Sequence, residues 1–212
     1  MAGRLLVKRV GKDFREGDTW ERLIVQWFKA LNRYLDYERG NDIPHWNDER
    51  SHTGFFAAAA WMLDGVALEE YAVERHGNGR GRRKGKGRCD LYFDVDNLPC
   101  LVEAKIEWRV GKKHIEDRLA EADGQLGGLP RQERDGCVSV ALCWVVPELK
   151  QGSKGGEKVL TRIAKKFQGA NHLVAIYSVP LNDRKGCEEQ WRQTYPGIVL
   201  VGRLFEDLMK TE

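Results

Sequence analysis

Residues 88–105 read Arg88-Cys89-Asp90-Leu91-Tyr92-Phe93-Asp94-Val95-Asp96-Asn97-Leu98-Pro99-Cys100-Leu101-Val102-Glu103-Ala104-Lys105. Two strand-forming runs flank Asp96-Asn97, a pair suited to a two-residue hairpin turn. With those two in the turn, Val95 lies opposite Leu98 and paired positions sum to 193. Asp90 then falls opposite Glu103, and Arg88 opposite Lys105. Strand side chains alternate between faces. One face carries Cys89, Leu91, Phe93, Val95, Leu98, Cys100, Val102 and Ala104, all apolar. The other carries Arg88, Asp90, Tyr92, Asp94, Leu101, Glu103 and Lys105.

The second face calls for chemistry or for solvent. Directly opposed strand residues have Cβ atoms roughly 5 Å apart, and like charges so placed repel. Asp90 and Glu103 therefore want a shared proton or a cation. A hard divalent ion such as Mg²⁺ takes oxygen ligands, commonly one or two carboxylates plus water. Lys105, on the same face, is placed to hold or activate a water beside it. The alternative is a solvated face on which Lys105 and Arg88 neutralise the acids.

The hairpin is preceded by Gly77-Asn78-Gly79-Arg80-Gly81-Arg82-Arg83-Lys84-Gly85-Lys86-Gly87-Arg88. Arg80, Arg82, Arg83, Lys84, Lys86 and Arg88 make this a flexible, positive loop leading straight into the Asp90 strand. Beside a carboxylate site, such a loop suits a phosphate backbone, and nucleic acid is the expected partner. A solvated charge run is the alternative.

Upstream, residues 66–75 alternate in a way that favours a strand. A helix at about 48–64 has Asn47 or Asp48 as its cap and an apolar centre, Phe55 to Met62, that implies burial; Gly65 is read as its stop. Glu49 lies in its first turn. Residues 18–39 form the clearest helix, with Asp18 and Glu21 spaced as a capping box and an apolar stripe of Trp20, Leu23, Ile24, Trp27, Phe28, Leu31 and Leu35. Residues 4–10 are either a short strand or an arm. Downstream, a helix is expected at about 113–126, a buried strand at 137–146, a helix near 156–168, and strands at 172–178 and 198–204, with Trp191 pinning the polar stretch between the last two.

A chain of 212 residues with 42% hydrophobic content can bury a real core as one domain with additions. The divisions expected are 1–46, an N-terminal helical extension packed on the core; 47–146, the core; and 147–212, a C-terminal α/β extension of the same domain. The net charge of +3 says little about partners. Five cysteines without a Cys-x-x-Cys pair argue against a disulfide framework and against a zinc site. Cys89, Cys100 and Cys143 read as buried thiols. With no signal-peptide core and no apolar run of membrane length, the expected location is cytoplasmic. The five histidines are scattered, and no serine-hydrolase elbow, phosphate loop or dinucleotide fingerprint occurs.

The order over residues 48–146 is helix, strand, strand, strand, helix, strand. Within it, Asp90, twelve intervening residues and Glu103-Ala104-Lys105 resemble the PD-(D/E)XK, or restriction-endonuclease-like, nuclease superfamily. The resemblance covers roughly half the chain and rests on a short motif in its strand context. It implies an α/β fold with an α-β-β-β-α-β core, a mixed central sheet flanked by helices. It implies metal-dependent hydrolysis of phosphodiester bonds, in DNA ahead of RNA, by a Mg²⁺- or Mn²⁺-dependent nuclease. Asp90, Glu103 and the Ala104 carbonyl would hold the metal, with Glu49, on the first core helix, as a further ligand. Lys105 would position or deprotonate the attacking water. Cys89 stands where the family name puts Pro. Gln125 is followed four residues on by Leu129, where some subfamilies have Tyr, and is read as a substrate contact. Glu69 and Glu70 compete with Glu49 for the extra acidic role. Two other readings stay open: a catalytically silent nucleic-acid-binding accessory subunit, and a protein-interaction module docking through helix 18–39. Double-strand cutting would favour a homodimer.

Overall fold

In a computed structural model, the structure describes residues 3–38, 42–44, 47–75, 85–150, 155–179 and 193–205. Its elements in chain order are β1 (Arg4–Val10), α1 (Gly17–Tyr37), α2 (Glu49–Trp61), β2 (Val66–Arg75), β3 (Gly85–Val95), β4 (Leu98–Glu107), α3 (Lys112–Gly127), α4 (Arg131–Arg134), β5 (Val138–Val145), β6 (Leu149–Lys150), α5 (Gly156–Ala164), β7 (His172–Ser178), β8 (Gln193–Thr194) and β9 (Gly197–Leu204). The class is α/β: seven strands form one mixed sheet in the order β1-β7-β9-β5-β4-β3-β2, with helices on both faces. Only β4 and β5 run parallel; the other pairs of this sheet are antiparallel. The short β6 and β8 pair separately. Strands from each of the three expected segments enter the one sheet, and β1 pairs with β7 across nearly the whole chain.

Alternation along the strands builds two apolar layers. Val140, Leu142 and Trp144 of β5 face one side, where the α1 stripe (Trp20, Leu23, Ile24, Trp27, Leu31, Leu35) and Phe56 and Ala60 of α2 cover them. Ala141, Cys143 and Val145 face the other, under Ile115, Leu119, Ala122 and Leu126 of α3 and Leu160 and Ile163 of α5. Burial on both faces explains why β5 is a continuous apolar run.

The hairpin register is as the sequence predicts from Leu91↔Val102 to Val95↔Leu98. Asp96 and Asn97 both take positive φ, 57° and 61°, as a type I′ turn demands. The turn is tied to α1, since Asp96 accepts hydrogen bonds from Thr19 Oγ1 (2.8 Å) and Arg22 Nη2 (3.0 Å).

Beyond Leu91 the expectation fails. The recorded β3–β4 pairs stop at Leu91↔Val102, so Asp90 is not simply opposed to Glu103, nor Arg88 to Lys105. On the other side of β3, Glu69↔Leu91 and Tyr71↔Cys89 are paired, but Glu70, at φ 53°, breaks the ladder opposite Asp90. The strands change face there. Leu91 and Ala67 belong to the α1–α2 layer, whereas Cys89 and Val73 belong to the α3–α5 layer. Cys89 therefore does not share a face with Leu91. Asp90 sits at the switch.

Four further expectations are corrected. α1 starts from Glu16, held at φ 52° with no side-chain cap, so Asp18 lies inside the first turn and the capping box does not form. α2 ends at Trp61 rather than at Gly65. Gly65 serves close approach instead: a Cβ there would stand 2.5 Å from the Asp94 carbonyl oxygen. The centre of α2 is not buried all round, since Trp61 is exposed. Finally, Gly85 to Gly87 are not loop, because they pair with Arg75, Glu74 and Val73 as the start of β3. Asp48 caps α2 as one of the two expected residues, accepting from the Ser51 N–H at 3.0 Å. The stretch containing Trp191 lies outside the described residues.

Candidate active site

The break in the ladder opens β3 from β4 where the candidate residues converge. Asp90 Oδ2 accepts the Ala104 backbone N–H at 2.8 Å. A side chain thus takes the donor on the residue between Glu103 and Lys105. Glu49 reaches the same strand from the first turn of α2, accepting the Ile106 N–H on Oε2 at 3.1 Å. Lys105 Nζ stands between the two acids, 3.6 Å from Glu49 Oε1 and 3.8 Å from Asp90 Oδ2. It also donates to the Ala104 carbonyl at 2.6 Å.

Both strands of the β3–β4 hairpin and the distant first turn of α2 therefore contribute to one cluster. It is half-sheltered: the Lys105 side chain is 10% exposed, Asp90 27% and Glu49 33%. Glu103 is buried on the same strand at 1% exposure. Burial, and after it the Asp90 charge, raises the Glu49 carboxyl above its ordinary value against the pull of Lys105. Burial pushes the Cys89 thiol up to about 12, and the Glu103 charge adds to this.

The oxygens assembled here are carboxylates and a backbone carbonyl, the hard donors that Mg²⁺ and Mn²⁺ prefer. The Lys105 ammonium, lying against the Ala104 oxygen and between Glu49 and Asp90, marks the spot as one that calls for positive charge. Among the described residues, no group of three or more His, Cys, Asp and Glu side chains is gathered closely enough to hold a metal by itself. Of the ligand set expected from the sequence, Asp90, Glu103 and Glu49 are thus not drawn together as three carboxylates around one point, and the Ala104 carbonyl is the remaining oxygen.

The remaining expected residues stand as follows. Arg88 Nη1 bonds Glu70 Oε2 at 2.9 Å, and Arg50 bonds the other Glu70 oxygen at 2.9 Å. Glu70 is thereby committed to an exposed ion pair outside the cluster. Glu69 lies along α2 near Gly54. Gln125 stands on α3, which covers the sheet face toward which Leu101 of β4 points. Arg80, Arg82, Arg83 and Lys84 lie outside the described residues, and the backbone of Lys86, on β3, pairs with Glu74 of β2.

The sequence reading missed Glu107. It is buried at the end of β4 and accepts from the Arg109 N–H (2.8 Å), Arg109 Nε (2.9 Å), Arg109 Nη2 (3.0 Å) and Arg118 Nε (3.4 Å). Burial alone would raise its carboxyl. The bonds from Arg109 and the two guanidinium charges outweigh burial and hold it at about 2. The alternation Glu103-x-Lys105-x-Glu107, with Arg109 two residues further on, was the available signal.

Compared with known proteins, the chain matches no protein-family model, no curated protein and no solved structure. No helix among the described residues is long and apolar enough to cross a membrane.

Proposed function

We propose that this protein is a metal-dependent nuclease of the restriction-endonuclease-like kind, hydrolysing phosphodiester bonds of nucleic acid. The observation that carries the reading is the meeting of Glu49, Asp90, Ala104 and Lys105 where β3 parts from β4. Positions at the end of a strand pairing, next to the carboxyl end of a parallel strand, are where α/β sheets open to ligands.

In this reading Asp90, Glu103 and the Ala104 carbonyl would hold Mg²⁺ or Mn²⁺, with Glu49 as a further ligand. The bound ion would lower the pKa of a water and stabilise charge on the phosphate. Lys105 holds the attacking water by a hydrogen bond from its ammonium and orients it toward the phosphorus. The Ile106 N–H fixes Glu49, and the Ala104 N–H fixes Asp90, so both carboxylates are oriented before substrate arrives. Arg88 and the basic stretch that precedes it supply sequence-independent attraction for the phosphate backbone.

Thermal melting with and without Mn²⁺ tests the metal site apart from catalysis. The wild type should melt higher with Mn²⁺, by mass action on the folded state, and Glu103→Gln should lose the increase. No increase in the wild type would contradict the reading.

A further inference from the structure

The connection from β4 to α3 leaves the sheet at Trp108, three residues beyond Lys105. Three contacts fix it. The Glu107 carboxylate grips both the backbone N–H and the guanidinium of Arg109. The Val110 carbonyl accepts from Lys166 Nζ at 3.1 Å. The Trp108 ring meets Tyr195 edge-on, with centroids 6.0 Å apart and planes at 69°. A connection already held in one conformation loses little further freedom when it binds something.

Two large side chains show on this fixed surface. Trp108 is 37% exposed, and the Arg109 side chain 58%. An indole and a guanidinium on consecutive residues, next to a cluster of phosphodiester-hydrolysing character, match the two halves of one unpaired nucleotide. A base stacks on an aromatic ring regardless of its sequence, and a guanidinium forks onto phosphate oxygens. In an intact duplex the bases are stacked on one another, and reaching an indole would require flipping one out. Arg109 turns its Nε–Nη2 side to Glu107 and presents the Nη1–Nη2 edge of the same guanidinium to a phosphate, whereas Arg118 is divided between Glu107 (3.4 Å) and Glu121 (2.8 Å). Glu107 and Arg118 are then positioning residues.

We propose that Trp108 and Arg109 bind an unpaired nucleotide beside the scissile bond, so that the substrate is single-stranded or locally unpaired nucleic acid rather than uninterrupted duplex. This inference rests on the nuclease reading for its placement at an active site.

The test is fluorescence anisotropy in EDTA, where metal-dependent cleavage cannot proceed, with three labelled 20-nucleotide probes: single-stranded DNA, single-stranded RNA of the same sequence, and blunt duplex DNA. The wild type should bind at least one single strand about tenfold tighter than duplex. Trp108→Ala should lose about tenfold on that strand and little on duplex, while Trp108→Phe keeps most of the affinity. Arg109→Gln should weaken binding and flatten its salt dependence by about one phosphate contact. The better of the two single strands identifies the sugar. Equal or tighter duplex binding, no binding to any probe, or a Trp108→Ala protein that binds single strands like the wild type would overturn the proposal. Because the readout needs no turnover, a failed cleavage assay and a failed stacking site are told apart.

Discussion

The carboxylate of Asp90 accepts the backbone N–H of Ala104 at 2.8 Å, closing with a side chain the place where the ladder between their strands has stopped. The bond ties Asp90 to the residue between Glu103 and Lys105. Asn at position 90 keeps an acceptor oxygen for that N–H, and Ala does not. Asp90→Ala should therefore unfold in urea at about 1–2 kcal/mol lower stability than Asp90→Asn. Both should lose any activity that depends on the carboxylate charge. Equal stability of the two variants would show that the bond does not hold the site.

His52 is wholly buried on α2, one helical turn from Glu49, with its ring 5.7 Å from that of Trp144. Burial lowers its pKa from 6.5 to about 4, against a small opposing pull from Asp48. The unfolded chain therefore takes up the proton first. Stability is complete above pH 6.5 and falls as the pH drops toward 4, by up to about 1.4 kcal/mol per pH unit. His52→Phe should flatten the urea-denaturation midpoint across that window. An unchanged slope would assign the acid sensitivity to other groups.

Glu107 behaves in the usual sense for a carboxylate. Its folded value of about 2 lies below the ordinary 4.5. Its contribution is present above 4.5 and is lost as the pH falls toward 2. At neutral pH, Glu107→Gln should lower stability by on the order of 2 kcal/mol, discounted for the solvent exposure of both arginines. It should also remove part of the acid transition below pH 4.5. Circular dichroism melts at pH 7 and pH 3 would measure both effects.

Thiol reactivity follows burial. Cys89, Cys100 and Cys143 are all buried, and burial raises each thiol well above its ordinary value. Cys137 is only partly buried and is raised as well. Alkylation read by mass spectrometry should modify Cys137 first among these four, with the other three following only at urea concentrations that unfold the chain. Early labelling of Cys89 would show that the β3–β4 opening exposes it.

Much of the fold was legible because two-residue alternation and helical stripes record burial directly. The hairpin register, the Asp96-Asn97 turn, the α1 stripe and the doubly buried β5 all follow from that. The face switch at Asp90 was not legible. It depends on Glu70 taking a positive φ, which no residue type at that position announces. The same break decides the site, since it lets Asp90 bond Ala104 and brings Lys105 between Glu49 and Asp90. Glycines misled twice. Gly65 is there for its closeness to β3 rather than as a helix stop, and Gly85 and Gly87 sit in a strand although their composition reads as loop. Asp90, Glu103 and Lys105 could be singled out from spacing alone. Glu49 needed the helix before it to be placed correctly, and Glu107 was overlooked because no opposing acid drew notice to it.

The most direct test of the central claim is a cleavage assay on plasmid, linear duplex, single-stranded DNA and RNA with Mg²⁺ or Mn²⁺, with Lys105→Ala purified in parallel. The account predicts metal-dependent cutting of at least one substrate by the wild type, abolished by EDTA and reduced by at least about a hundredfold in Lys105→Ala, the size expected when the attacking water loses its positioning group. No cutting of any substrate by the wild type, or equal cutting by the variant, would contradict it.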